Sequence, residues 1–326
     1  MALSIVFMGT PQFAVPTLEA LAEDDRFDVK AVVTQPDRPF GRKRQLKASP
    51  VKKTAEKLGL RIMQPEKISG SDEMAAIINM APDFIVTAAF GQFLPTKLLE
   101  ATKYGAVNAH ASLLPKYRGG APVHYAIMNG DDKTGVSLMY MVKKMDAGDV
   151  LDVVEVPIEA TDNVGTMFEK LGQAAVRLVT ENLEKIVSGE RQGTPQDPEQ
   201  VTFSPNITRE QQRVHFDQET AQQLDWHIRG LYPTHPAHAT TAGDKGQSIK
   251  FVQVTPLDEK TDAKPGVITF KSKKALHVAA ADGSQLSVDK LQPAGKGVMD
   301  ITAFLNGAGQ HLAVGDAWIA VGEANA

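Results

Sequence analysis

The chain has 326 residues, 42% hydrophobic and 23% charged, enough material for two domains of ordinary size, about 100–200 residues each. Its net charge of −4 and pI near 6.1 exclude a uniformly basic nucleic-acid binder, so any such contact must come from a local patch. The absence of cysteine excludes disulfides, thiolate nucleophiles and Cys-ligated metals. The N-terminus lacks a basic segment before its short apolar run, and no stretch is long enough to span a bilayer. A soluble, cytoplasmic, monomeric protein is expected.

In chain order, Leu3–Met8, Val29–Thr34, Phe84–Ala88 and Ala106–Asn108 read as buried strands. Thr17–Leu21, Val51–Leu58 and Glu73–Met80 carry helical spacing between them. This alternation predicts an α/β fold with a mostly parallel, Rossmann-like sheet. Thr134–Met141 and Val150–Ile158 read as further strands, and Val164–Val187 as a long closing helix.

The texture then changes. Ser188–Asn206 is rich in Gly, Pro, Gln and Glu and reads as a linker. Beyond it, Glu219–Leu231 reads as a helix, followed by strand-like runs at Ile249–Val254, Gly266–Phe270, Ala275–Ala279, Gln285–Val288 and Ala317–Val321. Short strands at this spacing predict a small, OB-like β-barrel. The expected division is residues 1–188, a linker at 189–207 and a C-terminal domain at 208–326.

Asn108-Ala-His110-Ala-Ser112-Leu113-Leu114-Pro115 is the most informative stretch. Asn108 and His110 are two apart, so on a strand they face the same side. A carboxamide and an imidazole can hold the oxyanion formed when a formyl carbon is attacked, and a His–carboxylate pair can move the amine's proton. The carboxylate lies downstream, where spacing alone leaves Asp146, Asp149 and Asp152 open.

Gly9-Thr10-Pro11 follows the first strand, but Pro11 and Phe13 replace the glycines a dinucleotide turn requires. Gln35–Lys53 carries seven basic residues against one acidic, in a connection longer than the usual ~2–6 residues. A phosphate-reading loop is expected there. Lys250, Lys271, Lys273, Lys274 and Lys290 read equally as an RNA-facing stripe or as guards of strand edges. His235 and His238 lack companions for a metal site, and no metal is expected.

The Asn108–Pro115 stretch with its downstream Asp resembles the signature of 10-formyltetrahydrofolate-dependent formyltransferases. Phe7-Met-Gly-Thr-Pro-Gln-Phe-Ala14, Pro36-Asp-Arg-Pro-Phe-Gly-Arg42 and Ser49-Pro-Val-Lys52 are similar to the branch that formylates methionyl-tRNA. The resemblance implies a formyltransferase domain followed by a tRNA-holding barrel, with the formyl-folate as donor and initiator methionyl-tRNA as acceptor. It implies that Asn108 and His110 bind the formyl oxygen, while Asp146 orients the His and assists proton removal. It assigns Phe90, Gly91, Gln92 and Leu94, with Ser112, Leu113, Leu114 and Pro115, to the folate. Arg38, Arg42, Lys43, Arg44 and Lys47 fall in the loop that would enter the acceptor end of the tRNA, with Arg42 the principal contact. The chain departs from the family at Asn206, where a Lys is common, and at Leu231-Tyr-Pro-Thr-His-Pro236, where a Trp-Pro segment is common. A formyltransferase acting on an amino sugar would share the catalytic set but has no need of the basic loop.

Overall fold

The structure is a computed structural model describing residues 2–40, 45–243 and 246–322. The chain divides into two compact units, Met1–Pro122 with Lys133–Pro157 and Met167–Pro205, and Val123–Asp132 with Ile158–Thr166 and Asn206–Ala326.

The first unit begins with β1 (Leu3–Gly9), α1 (Val15–Glu23) and β2 (Phe27–Val33). A small ribbon, β3 (Arg38–Phe40) and β4 (Gln45–Lys47), precedes α2 (Pro50–Lys57) and β5 (Ile62–Met63). Then come α3 (Asp72–Met80), β6 (Phe84–Ala88), α4 (Thr96–Leu99) and β7 (Ala106–His110). After α5 (Pro122–Met128), the chain returns through β8 (Lys133–Tyr140) and β9 (Val150–Pro157) to α6 (Val164–Val187). The sheet runs β5-β2-β1-β6-β7-β8-β9; neighbours from β5 to β7 are parallel, and β8 and β9 are antiparallel.

Local chemistry sets the helix starts. Ser49 and Ser71 accept the Lys52 and Met74 amides at 3.0 Å, and Pro50 follows Ser49 where its missing N–H costs nothing. Val6 and Met8 pack with Ala31, Val33, Ile77 and Leu98, while Ile5 and Phe7, facing the other way, are equally buried. The central strand is therefore covered on both faces, as parallel sheets require. Its neighbours β6 and β7 end side by side, in register from Ile85↔Ala106 to Thr87↔Asn108.

In the second unit, α7 (Ala221–Leu231) opens with a capping box between Thr220 and Gln223. The antiparallel sheet has the order β10 (His238–Thr240), β11 (Ser248–Leu257), β14 (Gln285–Pro293), β13 (Leu276–Ala279), β12 (Ile268–Lys271). β15 (Met299–Asp300) pairs with β14 and leads into α8 (Ile301–Leu305). Phe216, Phe251, Trp318 and Phe304 stack through its core with ring centroids 5.5–6.2 Å apart.

The expected strand at Ala317–Val321 is not a regular strand. Residues 315–320 instead bond to both edges of the sheet, through Thr240 and Ala242 on one side and Gly266 and Ile268 on the other. That double attachment closes the barrel-like arrangement at the cost of regular pairing. The short elements β3, β4, β5, β10, β15, α4, α5 and α8 were not expected, because two to seven residues carry too little periodicity.

α5 presents a stability switch. His124 is buried, its Nε2 lies 2.9 Å from Thr234 Oγ1, and the His235 ring meets it edge-on at 5.4 Å. Burial, reinforced by His235, holds the His124 imidazole down to about 4. The unfolded chain protonates near 6.5, so this stabilisation is complete above about pH 6.5 and is lost as pH falls toward 4. Its full size is about 3 kcal/mol. Urea unfolding should show a shallower decline between neutral and acid pH in His124→Gln than in the parent; parallel declines would remove His124 as the cause.

Candidate active site

β7 places Asn108 and His110 at its carboxyl end, on one face of the strand. Thr87 of β6, paired with Asn108 across the sheet, donates its hydroxyl to Asn108 Oδ1 at 2.7 Å. The carboxamide oxygen is thereby occupied, and the amino group is the end left to donate.

His110 is 7% exposed, with Nε2 3.0 Å from the Tyr117 carbonyl oxygen. A carbonyl only accepts, so Nε2 carries the proton. Nδ1 faces Asp146 Oδ1 at 3.8 Å, beyond hydrogen-bond length. In its neutral form the ring therefore presents a lone pair at Nδ1 beside a carboxylate. Asp146 lies in the loop between β8 and β9 with φ +49, and its Oδ2 accepts the Gly119 amide at 2.8 Å. That contact leaves Oδ1 to face the imidazole. Asp149 and Asp152 turn elsewhere: Asp149 packs beside Gly193, while Asp152 accepts from Asn182 and Arg191 at 3.0 Å.

Residues outside the expected set hold this geometry. Gln196 Nε2 donates to the Asp146 and Gly148 carbonyls at 2.9 and 2.8 Å, and Gln196 Oε1 receives a fork from Arg118. Gly148 passes so close to β8 that a Cβ there would lie 1.9 Å from the Tyr140 carbonyl oxygen. Ser204 donates to the Tyr117 carbonyl at 3.0 Å, and the Tyr117 amide donates to Thr202 Oγ1 at 2.9 Å. Tyr117, Arg118 and Gly119 adjoin the recognised motif. Gln196, Thr202 and Ser204 sit in a Gly/Pro/Gln-rich stretch with no local signal of their role.

The eight residues expected at the folate fall on two adjacent loops, after β6 and after β7. Phe90 and Leu94 are buried in the core; the Phe90 carbonyl accepts from Thr10 at 2.9 Å and Gln35 at 3.3 Å. Gly91 has φ +86, and the Gln92 side chain accepts the Ile68 amide at 2.7 Å. Phe93 between them is 61% exposed. Ser112 is fully buried and donates to the Lys116 carbonyl at 2.7 Å, so its hydroxyl holds the turn together. Leu113 lies over Gly135, the Leu114 amide donates to Ser137 Oγ at 3.0 Å, and the Pro115 carbonyl accepts the Thr202 amide at 3.4 Å.

Arg38 and Lys47 are opposite one another in the β3–β4 ribbon, and Arg38 pairs with Glu66 at 2.7 Å on the surface. Asp37 anchors the ribbon's base to Lys52 and Gln64 at 2.7 and 2.9 Å, and Lys52 holds the Asp37 carboxyl below its usual range. Arg42, Lys43 and Arg44 lie outside the described residues. Of the C-terminal lysines, Lys271 donates to the carbonyls of Gly309, Gln310 and Leu312, capping that turn. Among the described residues, no group of three or more His, Cys, Asp or Glu is placed to hold a metal, and no helix is long and apolar enough to cross a membrane.

A mostly parallel α/β sheet with its polar set at the strand ends, followed by an antiparallel sheet, defines a two-part formyltransferase architecture. Residues 3–183 match the formyl transferase family, and residues 206–309 match the formyl transferase C-terminal domain. The methionyl-tRNA formyltransferase of Enterococcus faecalis is 55% identical, covering 96% of this chain and 98% of that protein. That of Ligilactobacillus salivarius is 54% identical, with 96% and 97% covered. The crystal structure of WlaRD, a sugar 3N-formyl transferase, superposes with a TM-score of 0.65 at 16% identity, covering 91% of this chain and 99% of that one. At that identity the likeness speaks for the fold alone. The chain belongs to the formyl transferase family, in its methionyl-tRNA formyltransferase branch.

The close approach at Gly148 is testable. Gly148→Ala should destabilise the protein by about 1–3 kcal/mol, because the β8 backbone cannot yield. It should also displace the Asp146 loop and expose the Gly119 amide to faster hydrogen exchange. Unchanged stability and unchanged Gly119 protection would show that the loop accommodates a methyl.

Proposed function

We propose that this chain transfers the formyl group from N10 of 10-formyltetrahydrofolate to the α-amine of initiator methionyl-tRNA, as a cytoplasmic monomer serving translation initiation. The observation that carries the chemistry is the imidazole held by Nε2 to the Tyr117 carbonyl with Nδ1 open toward Asp146. Similarity over nearly the whole length of methionyl-tRNA formyltransferases supports the choice of acceptor.

The neutral amine attacks the formyl carbon, forming the new C–N bond as the carbonyl electron pair moves onto oxygen. The Asn108 amino group donates to that oxyanion. The amine proton passes to His110 Nδ1, and the resulting imidazolium lies between the Tyr117 carbonyl and the Asp146 carboxylate. Nδ1–H can then support the oxyanion and return its proton to N10 as the C–N10 bond breaks. His110 thus acts as an oxyanion donor only in its protonated form, with the Asp146 carboxylate beside it. No acyl-enzyme is required; Ser112 is committed within its turn.

Phe90, Gly91, Gln92 and Leu94, with Ser112–Pro115, are proposed to shape the folate site mainly through backbone and packing. The proposed division is a catalytic domain at 1–188, a connection at 189–207 and a tRNA-binding domain at 208–326; as far as Pro205 that connection packs with the first unit rather than standing free as a linker. Arg38, Arg42, Lys43, Arg44 and Lys47 would grip the tRNA acceptor end.

Labelled 10-formyltetrahydrofolate, offered with methionyl-tRNA or with an amino sugar, should formylate only the tRNA; label on the sugar alone would overturn the reading. In the same assay Asn108→Ala, His110→Ala and Asp146→Ala should each lower kcat by roughly 10²–10⁴-fold. A near-normal kcat would remove that residue from the mechanism.

Arg42→Ala should raise KM for methionyl-tRNA and leave folate affinity intact, and Arg42→Lys should rescue poorly if the contact is forked. Replacing Lys43, Arg44 and Lys47 together by neutral residues should flatten the salt dependence of tRNA binding. Unchanged tRNA kinetics in every variant would reduce the loop to a solvated surface.

A further inference from the structure

Both main-chain polar groups of Tyr117, in the peptide units on either side of its Cα, are bonded by the segment that follows α6. Its N–H donates to Thr202 Oγ1 at 2.9 Å, and its carbonyl accepts from Ser204 Oγ at 3.0 Å. The same carbonyl receives His110 Nε2 at 3.0 Å, so both of its lone pairs are engaged. Tyr117 has φ +60, a left-handed conformation that a non-glycine residue keeps only when its surroundings impose it. The surroundings here are residues 202–204: Arg118 pairs with Phe203 in a short bridge, and the Ser204 amide donates to the Arg118 carbonyl at 2.8 Å. Ser204 is completely buried. This segment lies between the two family matches, which end at 183 and resume at 206.

We propose that Thr202 and Ser204 are positioning residues for formyl transfer, which lock the Tyr117 carbonyl onto His110 Nε2 and so keep the Nδ1 lone pair toward Asp146. Without the lock, two acceptors compete for the ring's single proton. A carboxylate is the stronger acceptor, and a hydrogen bond to it would draw the proton to Nδ1. The ring would then hold its proton where it should receive one. The side chains at 202 and 204 touch no reacting atom in this scheme; they act through the two peptide units that flank the Tyr117 Cα.

The inference rests on the proposed role of His110, so its test separates the two. In the full-length chain with 15N-labelled histidine, long-range 1H–15N spectra at mildly alkaline pH report which ring nitrogen is protonated, and His110→Gln assigns the signal. The unsubstituted protein should show His110 protonated at Nε2. Ser204→Ala and Thr202→Val should both shift population toward Nδ1–H. Both should lower kcat roughly 10- to 100-fold, the cost of a small misplacement, with KM for both substrates within about twofold. Thr202→Ser, which retains the acceptor oxygen, should behave as the parent does. Thr202 is exposed, so its variants report even if Ser204→Ala folds poorly.

Nδ1 protonation in the parent, or an unmoved tautomer and kcat in Thr202→Val, would overturn the proposal. A shifted tautomer with normal kcat would uphold the lock but remove its catalytic role. If His110→Gln is itself fully active, the reading of His110 fails instead, and the spectra still decide whether the lock exists.

Discussion

One loop, residues 115–121, holds both halves of the imidazole–carboxylate pair. The Tyr117 carbonyl takes His110 Nε2, and two residues later the Gly119 amide takes Asp146 Oδ2. The sheet alone could not provide this, because a strand end fixes where His110 starts but not which nitrogen faces the cleft. Gly119 has φ +128, and a Cβ there would lie 2.6 Å from the Ser204 carbonyl oxygen. The loop is therefore shaped by what packs against it. Ser137 secures its start through the Ser112 carbonyl and the Leu114 amide, and residues 202–204 secure its far side.

A neutral carbonyl on Nε2 and a carboxylate at 3.8 Å from Nδ1 divide the electrostatics usefully. The carbonyl sets the tautomer without adding charge. The carboxylate has an opposite charge to attract only after Nδ1 gains a proton. An interaction that appears only as the proton moves lowers the barrier without stabilising the resting enzyme equally. Thr87 sets the Asn108 carboxamide in a comparable way, engaging its oxygen and turning its amino group out.

Charge is local in this molecule. The chain carries net −4, yet the connection from Gln35 to Lys53 is strongly basic. Asp37 and Glu66 hold its ends and leave the net positive character between them. The Phe90 carbonyl, through Gln35, ties the start of that connection to the loop after β6. In the second unit, Lys271 is turned inward onto backbone carbonyls, so a stripe drawn from lysine positions overstates the basic surface.

Alternating strand and helix patterns in the first half and short strands in the second were sufficient for the architecture, because periodicity is a property of neighbouring residues. The Asn108–Pro115 motif, with the segments at 7–14 and 36–52, was sufficient for the family, which the matches at 3–183 and 206–309 bear out. Other features depend on partners far away in the chain. Ser204 and Tyr117 are 87 residues apart, Gln196 and Asp146 are 50 apart, and Thr87 and Asn108 are 21 apart. Neither composition nor spacing near Gln196 or Ser204 marks them, since Gln and Ser in a Pro-rich stretch look like any solvated connection. The irregular closure by residues 315–320 was hidden for a related reason: Ala317–Val321 has the apolar content of a strand, but its hydrogen bonds divide between two edges. The sequence alone determined the layers and the chemical vocabulary of the site. Spacing left three carboxylates open and the family resemblance singled out Asp146; tertiary structure alone decided the imidazole's tautomer, because it depends on a backbone carbonyl brought to the ring only by folding.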